Sequence, residues 1–346
     1  MIRRFFATTA NMVKARTWVK ANEWNGLPKI ADFKLVEEEL PALKPNEVLV
    51  ESEFLSVDPY QWAYKVNPGS VMIGGQVGKV MESKNDNFPV GSFVYGHFGW
   101  RSHTVFTPDA SGGSFGDAYA LPDFKSLPRS LALGVLGMPG NTAYFGFLEI
   151  CGPVKSGETL VVNAAAGAVG SLVGQIGKLK GMKVIGIAGS DKKCQWLTNE
   201  LGFDHAINYK TQDVKKELAR VADKGIDCFF DNVGGEQASW VINLMNDRGR
   251  ISVCGSISTY DNITTGTVTK VPAPQPMFVF KQLKMEGFVV TRWSDRWMEG
   301  IHQMGEWVKE GKIKYHETVT EGFDNMPKAF VAMLTGDSTG KAVVKA

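Results

Sequence analysis

The strongest constraint on the fold is an apolar run that enters a glycine-containing turn and continues as a helical pattern. Residues 160–170 read LVVNAAAGAVG. They predict a buried strand at 159–163, a tight turn, and a helix at 169–180, followed by a second strand at 183–188. Ala165 occupies the first glycine position of a G-x-G-x-x-G motif, and Gly167 and Gly170 occupy the other two. A strand–turn–helix of this kind presents free N–H groups to a pyrophosphate, so the run predicts a dinucleotide site.

Strands and helices alternate from this run onward, which predicts a parallel sheet covered on both faces. We expect further strands at 205–208, 227–231, 250–254 and 286–290, and helices at 192–201, 213–222, 237–245 and 275–285. The six strands match a doubly wound dinucleotide-binding sheet. The chain before residue 134 has a different character, with strand-like runs at 47–55, 77–80 and 92–95 separated by Pro and Gly. A helix at 297–309 and a strand at 340–345 complete an α/β fold with a separate β-rich part.

The charge pattern separates the first eleven residues from the rest. Thirty-eight Lys plus Arg against 36 Asp plus Glu give a net charge of +2, and a start at Met12 would remove Arg3 and Arg4 and leave zero. A net charge of zero from residue 12 onward argues against a nucleic-acid partner. The segment 1–11 is basic and free of acids, as in an organelle transit peptide, or it is a disordered tail behind an upstream start. We therefore expect a cytoplasmic protein, or a mitochondrial one if the leader acts as a presequence.

Cysteine and histidine spacing gives no support for a metal site. The four cysteines at 151, 194, 228 and 254 form no C-x-x-C pair, and the five histidines lack the H-E-x-x-H spacing. Unpaired cysteines favour a reducing compartment. The uncharged stretch 159–177 has the length of a membrane span, but its Asn, Ser, Gln and four glycines fit the strand–turn–helix better, so we expect no membrane segment.

The end of the second strand of this unit indicates which dinucleotide is bound. An NAD enzyme usually places an acidic residue there to bind the ribose 2′-hydroxyl. This chain has Gly189 and Ser190, followed by Lys192 and Lys193, and Tyr209 follows the third strand. Small residues with lysines suit a 2′-phosphate, so we favour NADPH over NADH.

Several motifs together give the chain a specific family resemblance. They are SVDPY at 56–60, GMPGNTAYFG at 137–146, VNAAAGAVGS at 162–171, DNVGG at 231–235, CGSISTY at 254–260 and EGFDNMP at 321–327. The chain resembles the zinc-independent medium-chain dehydrogenases/reductases, in particular the prostaglandin reductase (leukotriene 12-hydroxydehydrogenase) family. The resemblance covers residues 12–346. Zinc-dependent relatives carry a Cys near 56–58 and a Gly-His-Glu motif near 74–76, and this chain has neither.

The resemblance implies two domains and a set of cofactor contacts. A GroES-like β-rich domain would comprise residues 12–138 and 311–346, a Rossmann NADP-binding domain residues 139–310, and residues 1–11 a leader. Members of this family are commonly homodimers. The implied cofactor-binding residues are Gly167, Ala168, Val169, Gly170, Lys193, Tyr209, Asn232, Cys254, Gly255, Ser256, Ile257, Ser258, Thr259, Tyr260, Phe288, Val289, Val290 and Ser338. Ser338 replaces an Asn that is frequent in relatives.

The implied activity is NADPH-dependent reduction of the carbon–carbon double bond of α,β-unsaturated ketones and aldehydes, including 15-oxo-prostaglandins. After hydride transfer to the β-carbon, the developing enolate needs a hydrogen-bond donor. Tyr260 is the first candidate and Tyr60 the second, and a ribose hydroxyl of the cofactor is the alternative. Candidates for an apolar substrate pocket are Tyr60, Trp62, Tyr64, Met72, Met138 and Trp293, with Arg292 as a candidate partner for a substrate carboxylate.

Two other functions are compatible with the same residues. One is an NADPH quinone reductase of the same superfamily. The other is an NADPH-binding protein without catalysis, as among the lens crystallins of this superfamily.

Overall fold

The computed structural model describes residues 13–108 and 118–346, so the predicted leader lies outside it. Residues 107–117 are rich in Gly, Ser and Asp, which predicts a loop, and most of this stretch also lies outside the described residues. The strands within these ranges are β1 Lys14–Lys20, β2 Phe33–Glu39, β3 Val48–Ser56, β4 Gln76–Ser83, β5 Phe93–Gly96, β6 His103–Phe106, β7 Tyr119–Ala120, β8 Thr159–Val162, β9 Lys183–Ala188, β10 His205–Asn208, β11 Ile226–Asp231, β12 Met245–Val253, β13 Lys284–Gly287, β14 Glu317–Glu321 and β15 Lys341–Lys345.

The helices alternate with these strands in the middle of the chain. The α-helices are α1 Tyr60–Ala63, α2 Met138–Leu148, α3 Gly170–Leu179, α4 Asp191–Asn199, α5 Val214–Val221, α6 Gly235–Asn243, α7 Tyr260–Thr265, α8 Gln275–Lys281, α9 Trp297–Lys309 and α10 Met326–Thr335. Short 3₁₀ helices lie at Ile30–Asp32, Arg129–Leu133, Ile257–Thr259, Val290–Arg296 and Phe323–Asn325. In the part of the chain described here, no helix is both long enough and apolar enough to cross a membrane.

A parallel sheet in the order β10-β9-β8-β11-β12-β13 forms the centre of the Rossmann-like part. Strand β8 is buried along its whole length, because helices cover both faces of the sheet. One face packs against a core that contains Leu160, Val162 and Phe230, and the other against a core that contains Val161 and Phe229. The strand order reverses between β8 and β11, and ligands of such sheets bind at the carboxyl ends beside this point.

The second large sheet combines strands from both ends of the chain. Its order is β14-β15-β3-β4-β5-β7, with β6 also paired to β3, and β15 runs antiparallel to β3. The C-terminal segment therefore completes the β-rich part, and β1 and β2 form a separate antiparallel pair. The predicted α/β fold, with a β-rich part and a doubly wound parallel sheet, is confirmed. The domain limits at 138 and 311 stay a prediction.

The predicted elements differ from the observed ones mainly late in the Rossmann-like part. Helix α8 ends at Lys281, because Gln282 adopts a left-handed conformation with φ 51°. The last strand lies at Lys284–Gly287 rather than 286–290, and Val290 already begins a 3₁₀ helix. Met245 belongs to β12 rather than to the preceding helix, which is α6 and spans Gly235–Asn243.

Candidate active site

A cavity of about 830 Å³ lies between the β-rich part and the carboxyl ends of the parallel strands. Its Rossmann wall includes the residues after β8 and β11, together with Cys254, Gly255, Ile257, Tyr260 and residues 288–291. Its β-rich wall is formed by residues 58–60, 63–64, 71–74, 97–99 and 101, and Met138 and Thr142 of α2 also line it. Most of this lining is apolar, which suits an apolar substrate.

The glycine-containing turn after β8 faces this cavity. A Cβ atom added to Gly170 would lie 2.6 Å from the carbonyl oxygen of Ala164, so only glycine permits the close turn. A Cβ added to Gly167 would have that same oxygen as its one neighbour within 4 Å, at 3.2 Å. Gly340 donates its N–H to the carbonyl of Ala166 at 2.8 Å, which fixes the turn against the start of β15. The turn therefore leaves open space for a bound group on its cavity side.

A buried hydrogen-bond network joins the carboxyl ends of β8 and β11. Asn163 is fully buried and donates Nδ2–H to the carboxylate of Asp231 at 2.6 Å. Its Oδ1 accepts the backbone N–H of Asn232 at 2.6 Å, and its carbonyl accepts Nδ2–H of Asn232 at 2.9 Å. Asp231 also accepts the N–H groups of Val233 and Gly234. Burial nevertheless raises the pKa of Asp231. The network places Asn232 in the cavity wall.

The residues predicted to bind a 2′-phosphate surround the end of β9. The ring of Tyr209 packs against Gly189, so that a Cβ added there would lie 3.1 Å from the Tyr209 hydroxyl. Lys193 donates from Nζ to the carbonyl of Gly336 at 2.7 Å. Burial and the neighbouring charge of Lys210 lower the pKa of Lys193. The ammonium groups of Lys193 and Lys210 and the hydroxyl of Tyr209 thus lie near the position of the acidic residue in an NAD site. This arrangement fits a 2′-phosphate.

Hydroxyl groups hold the segment 254–260 against Val233 and fix its own conformation. Ser258 donates Oγ–H to the carbonyl of Val233 at 2.6 Å, and Oγ of Ser256 lies 2.7 Å from Oγ1 of Thr259. These three side chains shape the loop, whereas Cys254, Gly255, Ile257 and Tyr260 line the cavity. Ser338 is half-buried two residues before Gly340, the residue bonded to the glycine-containing turn.

Two tyrosine hydroxyls lie at the cavity. The Tyr260 oxygen accepts the N–H of Ser256 at 3.4 Å, and its ring packs edge-on against Trp62 at 5.9 Å. Burial raises the pKa of Tyr260, despite the Ser256 hydrogen bond. Burial, aided by the negative charge of Asp58, raises the pKa of Tyr60 well above its usual value. Both hydroxyls therefore keep their protons at neutral pH and can donate hydrogen bonds.

Three of the predicted pocket residues lie elsewhere. Trp62 is buried behind Tyr260 rather than in the cavity wall. Trp293 stacks on Phe145 at 5.5 Å and donates Nε1–H to Glu149, so it is a core residue. Arg292 is half exposed and pairs with Glu286 outside the cavity, which makes it a surface residue. Of the predicted pocket residues, Tyr60, Tyr64, Met72 and Met138 do line the cavity.

Sequence reasoning missed several residues of the β-rich wall. Asp58, His97 and Arg101 line the cavity. Asp58 belongs to the SVDPY motif at 56–60 but was not predicted as a site residue, and the sequence around His97 and Arg101 contains no motif. They meet because the loops after β3 and β5 project from the same edge of the β-rich sheet. Within the described ranges, no three His, Cys, Asp or Glu side chains are grouped so that they could hold a metal ion.

Comparison with known proteins places the chain in a family. Residues 16–112 match the family model described as "N-terminal domain of oxidoreductase", and residues 168–306 match "Zinc-binding dehydrogenase". Prostaglandin reductase 1 of Rattus norvegicus is 51% identical over 97% of this chain and 100% of its own. The 2-alkenal reductase (NADP⁺-dependent) of Nicotiana tabacum is 37% identical over 97% of this chain and 98% of its own.

A solved structure agrees with this relationship. CurA from Vibrio vulnificus in complex with NADPH is 39% identical, with a TM-score of 0.87 over 96% of this chain and 99% of its own. High identity over the full length and a shared architecture lead to one assignment. The chain belongs to the prostaglandin reductase family of medium-chain dehydrogenases/reductases.

Proposed function

We propose that this protein is an NADPH-dependent reductase of the carbon–carbon double bond in α,β-unsaturated ketones and aldehydes. The observation that carries the proposal is a single apolar cavity shared by the glycine-containing turn and two protonated tyrosine hydroxyls. The names of the relatives support it, since they are a prostaglandin reductase and a 2-alkenal reductase. Lipid-derived enals and enones, including 15-oxo-prostaglandins, are the substrates that match an apolar cavity of this size.

The chain offers a distinct contact to each part of the cofactor. Gly167, Ala168, Val169 and Gly170 would bind the pyrophosphate at the start of α3. Lys193 and Tyr209 would bind the 2′-phosphate. The remaining contacts would come from Asn232, residues 254–260, residues 288–290 and Ser338. When bound, NADPH supplies the hydride that the β-carbon of the substrate accepts.

The tyrosine hydroxyls stabilise the negative charge that develops on the substrate oxygen. Tyr260 is the favoured donor, because its oxygen already accepts a hydrogen bond from Ser256 and its own proton is left to donate. Tyr60 is the second candidate on the opposite wall. A donor aimed at the developing oxyanion acts in a largely apolar cavity, where such a hydrogen bond is strongest.

The activity is tested by mixing the protein with NADPH and a panel of enones and quinones. The oxidation of NADPH is followed by the absorbance of the reduced nicotinamide. We expect enones to be reduced faster than quinones. Faster turnover of quinones would favour a quinone reductase, and NADPH binding without turnover of either panel would favour a non-catalytic protein.

Replacing Tyr260 by Phe removes the hydroxyl while keeping the ring that packs on Trp62. We expect kcat for an enone to fall by ~100-fold, the usual cost of losing one oxyanion donor. The affinity for NADPH, measured by titration, should change little. Tyr315→Phe is the control, since Tyr315 lies outside this cavity. A Tyr260→Phe variant with the rate of the wild type would remove Tyr260 from the mechanism.

The oligomeric state is also a proposal. A homodimer is supported by the exposed apolar side chains of Val279 (72% exposed) and Phe280 (76%) on α8, beside the edge strand β13. Light scattering after size exclusion should give twice the monomer mass.

A cytoplasmic location is supported by four free cysteines. A mitochondrial location is the alternative if residues 1–11 act as a presequence. N-terminal sequencing of the native protein decides between them.

A further inference from the structure

Few charged side chains line the cavity. Among the described residues of its wall, those that can carry a charge at neutral pH are Asp58, His97 and Arg101. Most of the other lining residues are apolar, and a charged group that enters such surroundings without a counter-ion is costly to desolvate. The partners of these three side chains therefore determine which substrates the cavity can bind.

The negative charge of Asp58 is balanced from outside the cavity. Nζ of Lys341 lies 2.7 Å from Oδ1 of Asp58, and the two side chains are only 5% and 6% exposed. The hydroxyl of Ser56 donates to the other carboxylate oxygen. Lys341 is not one of the residues that line the cavity. Asp58 thus contributes a carboxylate to this wall, whereas the ammonium group that balances it is not available to a substrate.

The positive charge of Arg101 is also balanced from outside the cavity. Its Nη1 donates to Oε1 of Glu38 in β2, and the same oxygen accepts the hydroxyl hydrogen of Thr17, with the two oxygens 3.0 Å apart. Glu38 does not line the cavity. A substrate carboxylate at Arg101 would therefore be the second anion beside one cation, in a wall that already contains the carboxylate of Asp58.

No other group in the described part of the wall supplies a cation for a substrate carboxylate. Burial lowers the pKa of His97 below its usual 6.5, against the opposing effect of Asp58, so its imidazole is mainly neutral at neutral pH. Arg292 is paired with Glu286 outside the cavity. NADPH, when bound, supplies a neutral nicotinamide and anionic phosphates. A carboxylate that enters the cavity thus meets no unbalanced positive charge among the described residues.

We propose that the cavity selects enals and enones with uncharged chains and discriminates against those that carry a carboxylate, and that Glu38 sets this selectivity by pairing with Arg101. The inference rests on the proposed enone reductase function and narrows its substrate class. Free acids, including 15-oxo-prostaglandins, would be poorer substrates than their esters. The reacting double bond is the same in acid and ester, so the difference arises from the end of the chain.

The test uses three enones with the same reacting double bond and chain length, which end in a carboxylate, a carboxamide or a methyl ester. Above neutral pH the carboxylate is ionised and His97 is neutral. We expect kcat/KM of the wild type to be ~10-fold lower for the carboxylate than for the carboxamide, because burying an unpaired charge costs more than burying an amide. The carboxamide is the decisive comparison, since it is polar but uncharged. A 15-oxo-prostaglandin and its methyl ester should show the same preference for the uncharged form.

Replacing Glu38 by Gln removes the counter-charge of Arg101 and retains a hydrogen-bond acceptor for Thr17. We expect kcat/KM for the carboxylate substrate to rise ~10-fold, mainly through a lower KM, with little change for the carboxamide. Glu37→Gln is the matched control, since Glu37 is exposed and lies on the opposite face of β2, and it should behave as the wild type. In the double variant Glu38→Gln/Arg101→Gln, the gain for the carboxylate should disappear.

Binding of the saturated analogues separates affinity from chemistry. Isothermal titration calorimetry of each analogue in the presence of NADPH should give the same order of affinity as the kinetic measurements. No enone turnover by the wild type overturns the proposed function. Turnover with equal kcat/KM and equal affinity for carboxylate and carboxamide overturns only the selectivity. A carboxylate-to-carboxamide ratio in Glu38→Gln equal to that of the wild type overturns the role of Glu38.

Discussion

Gly189 lies at the centre of the proposed 2′-phosphate site. At the end of β9, an NAD enzyme usually has an acidic side chain. Here the Tyr209 ring fills that space, and a Cβ on Gly189 would come within 3.1 Å of its hydroxyl. Lys193 approaches from α4, whose first turn is capped by the Ser190 hydroxyl. The site thus has positive charge and a hydroxyl where a carboxylate would repel a phosphate.

Replacing Lys193 by Ala should weaken NADPH binding by ~10- to 100-fold, because a charge-assisted hydrogen bond to phosphate contributes about 1.5–3 kcal/mol. Binding of NADH, which lacks the 2′-phosphate, should be nearly unchanged. Fluorescence titration with both cofactors measures the ratio. Lys180→Ala is the matched control, since it removes one exposed lysine at the far end of α3. Equal weakening of both cofactors would contradict a 2′-phosphate contact.

The position of a site residue could be predicted from the sequence where a local motif carries it. Residues 167–170 follow from the spacing within one βαβ unit, and they do line the cavity. His97 and Asp58 could not be found in this way, because they enter the cavity through packing of separate loops. The prediction that Trp293 lines the pocket was wrong, because the residues around it in the sequence do not reveal its stacking partner Phe145 or its hydrogen-bond acceptor Glu149.

At the scale of elements, the carboxyl ends of β8 and β11 depend on one amide side chain. Asn163 follows β8, and its side chain donates to the carboxylate of Asp231 and accepts the backbone N–H of Asn232, both at the end of β11. This cross-link determines where the cavity wall begins on the Rossmann side. The sequence predicted both strands but not their cross-link, because no periodicity identifies the partner of a buried Asn.

Replacing Asn163 by Ala should lower the free energy of unfolding by about 2–3 kcal/mol, since the backbone N–H of Asn232 loses its acceptor and the buried carboxylate of Asp231 loses one of its donors. Urea unfolding measures the change. Asn199→Ala, at the exposed end of α4, should stay within ~0.5 kcal/mol of the wild type. A loss at Asn163 as small as that at Asn199 would show that the network adds no stability.

Element boundaries were hardest to predict where conformation changes within a few residues. The continuous pattern at 275–290 contains α8, a left-handed Gln282, β13 and the start of a 3₁₀ helix. Apolar periodicity over such short segments cannot place each boundary. The buried strands β8 and β9 were predicted closely, because flanking glycines and polar residues mark their ends.

At the scale of the whole molecule, the β-rich part is closed by the last strand of the chain. Strand β15 inserts between β14 and β3 and brings Lys341 to Asp58, 283 residues away. The family resemblance implied that residues 311–346 return to the β-rich part. It did not predict that a lysine there is only 4% exposed and paired with an equally buried aspartate. Lys341 also donates to the carbonyl of Val57, and Ser56 donates to Asp58, so each member of the pair has a second hydrogen-bond partner.

Replacing Lys341 by Met leaves the Asp58 carboxylate buried without a counter-charge, so the free energy of unfolding should fall by about 3–5 kcal/mol. Lys345→Met is the control on the same strand: Lys345 is about half exposed, its ion pair with Glu321 spans 3.9 Å, and its loss should cost at most ~0.5 kcal/mol. Because the cost at Lys341 comes from an unpaired charge, the double variant Lys341→Met/Asp58→Asn should recover much of the loss. Urea unfolding of all three variants decides the matter. No recovery in the double variant would mean that the lysine acts through the packing of its aliphatic chain, and that the charge pair does not hold the two ends of the chain together.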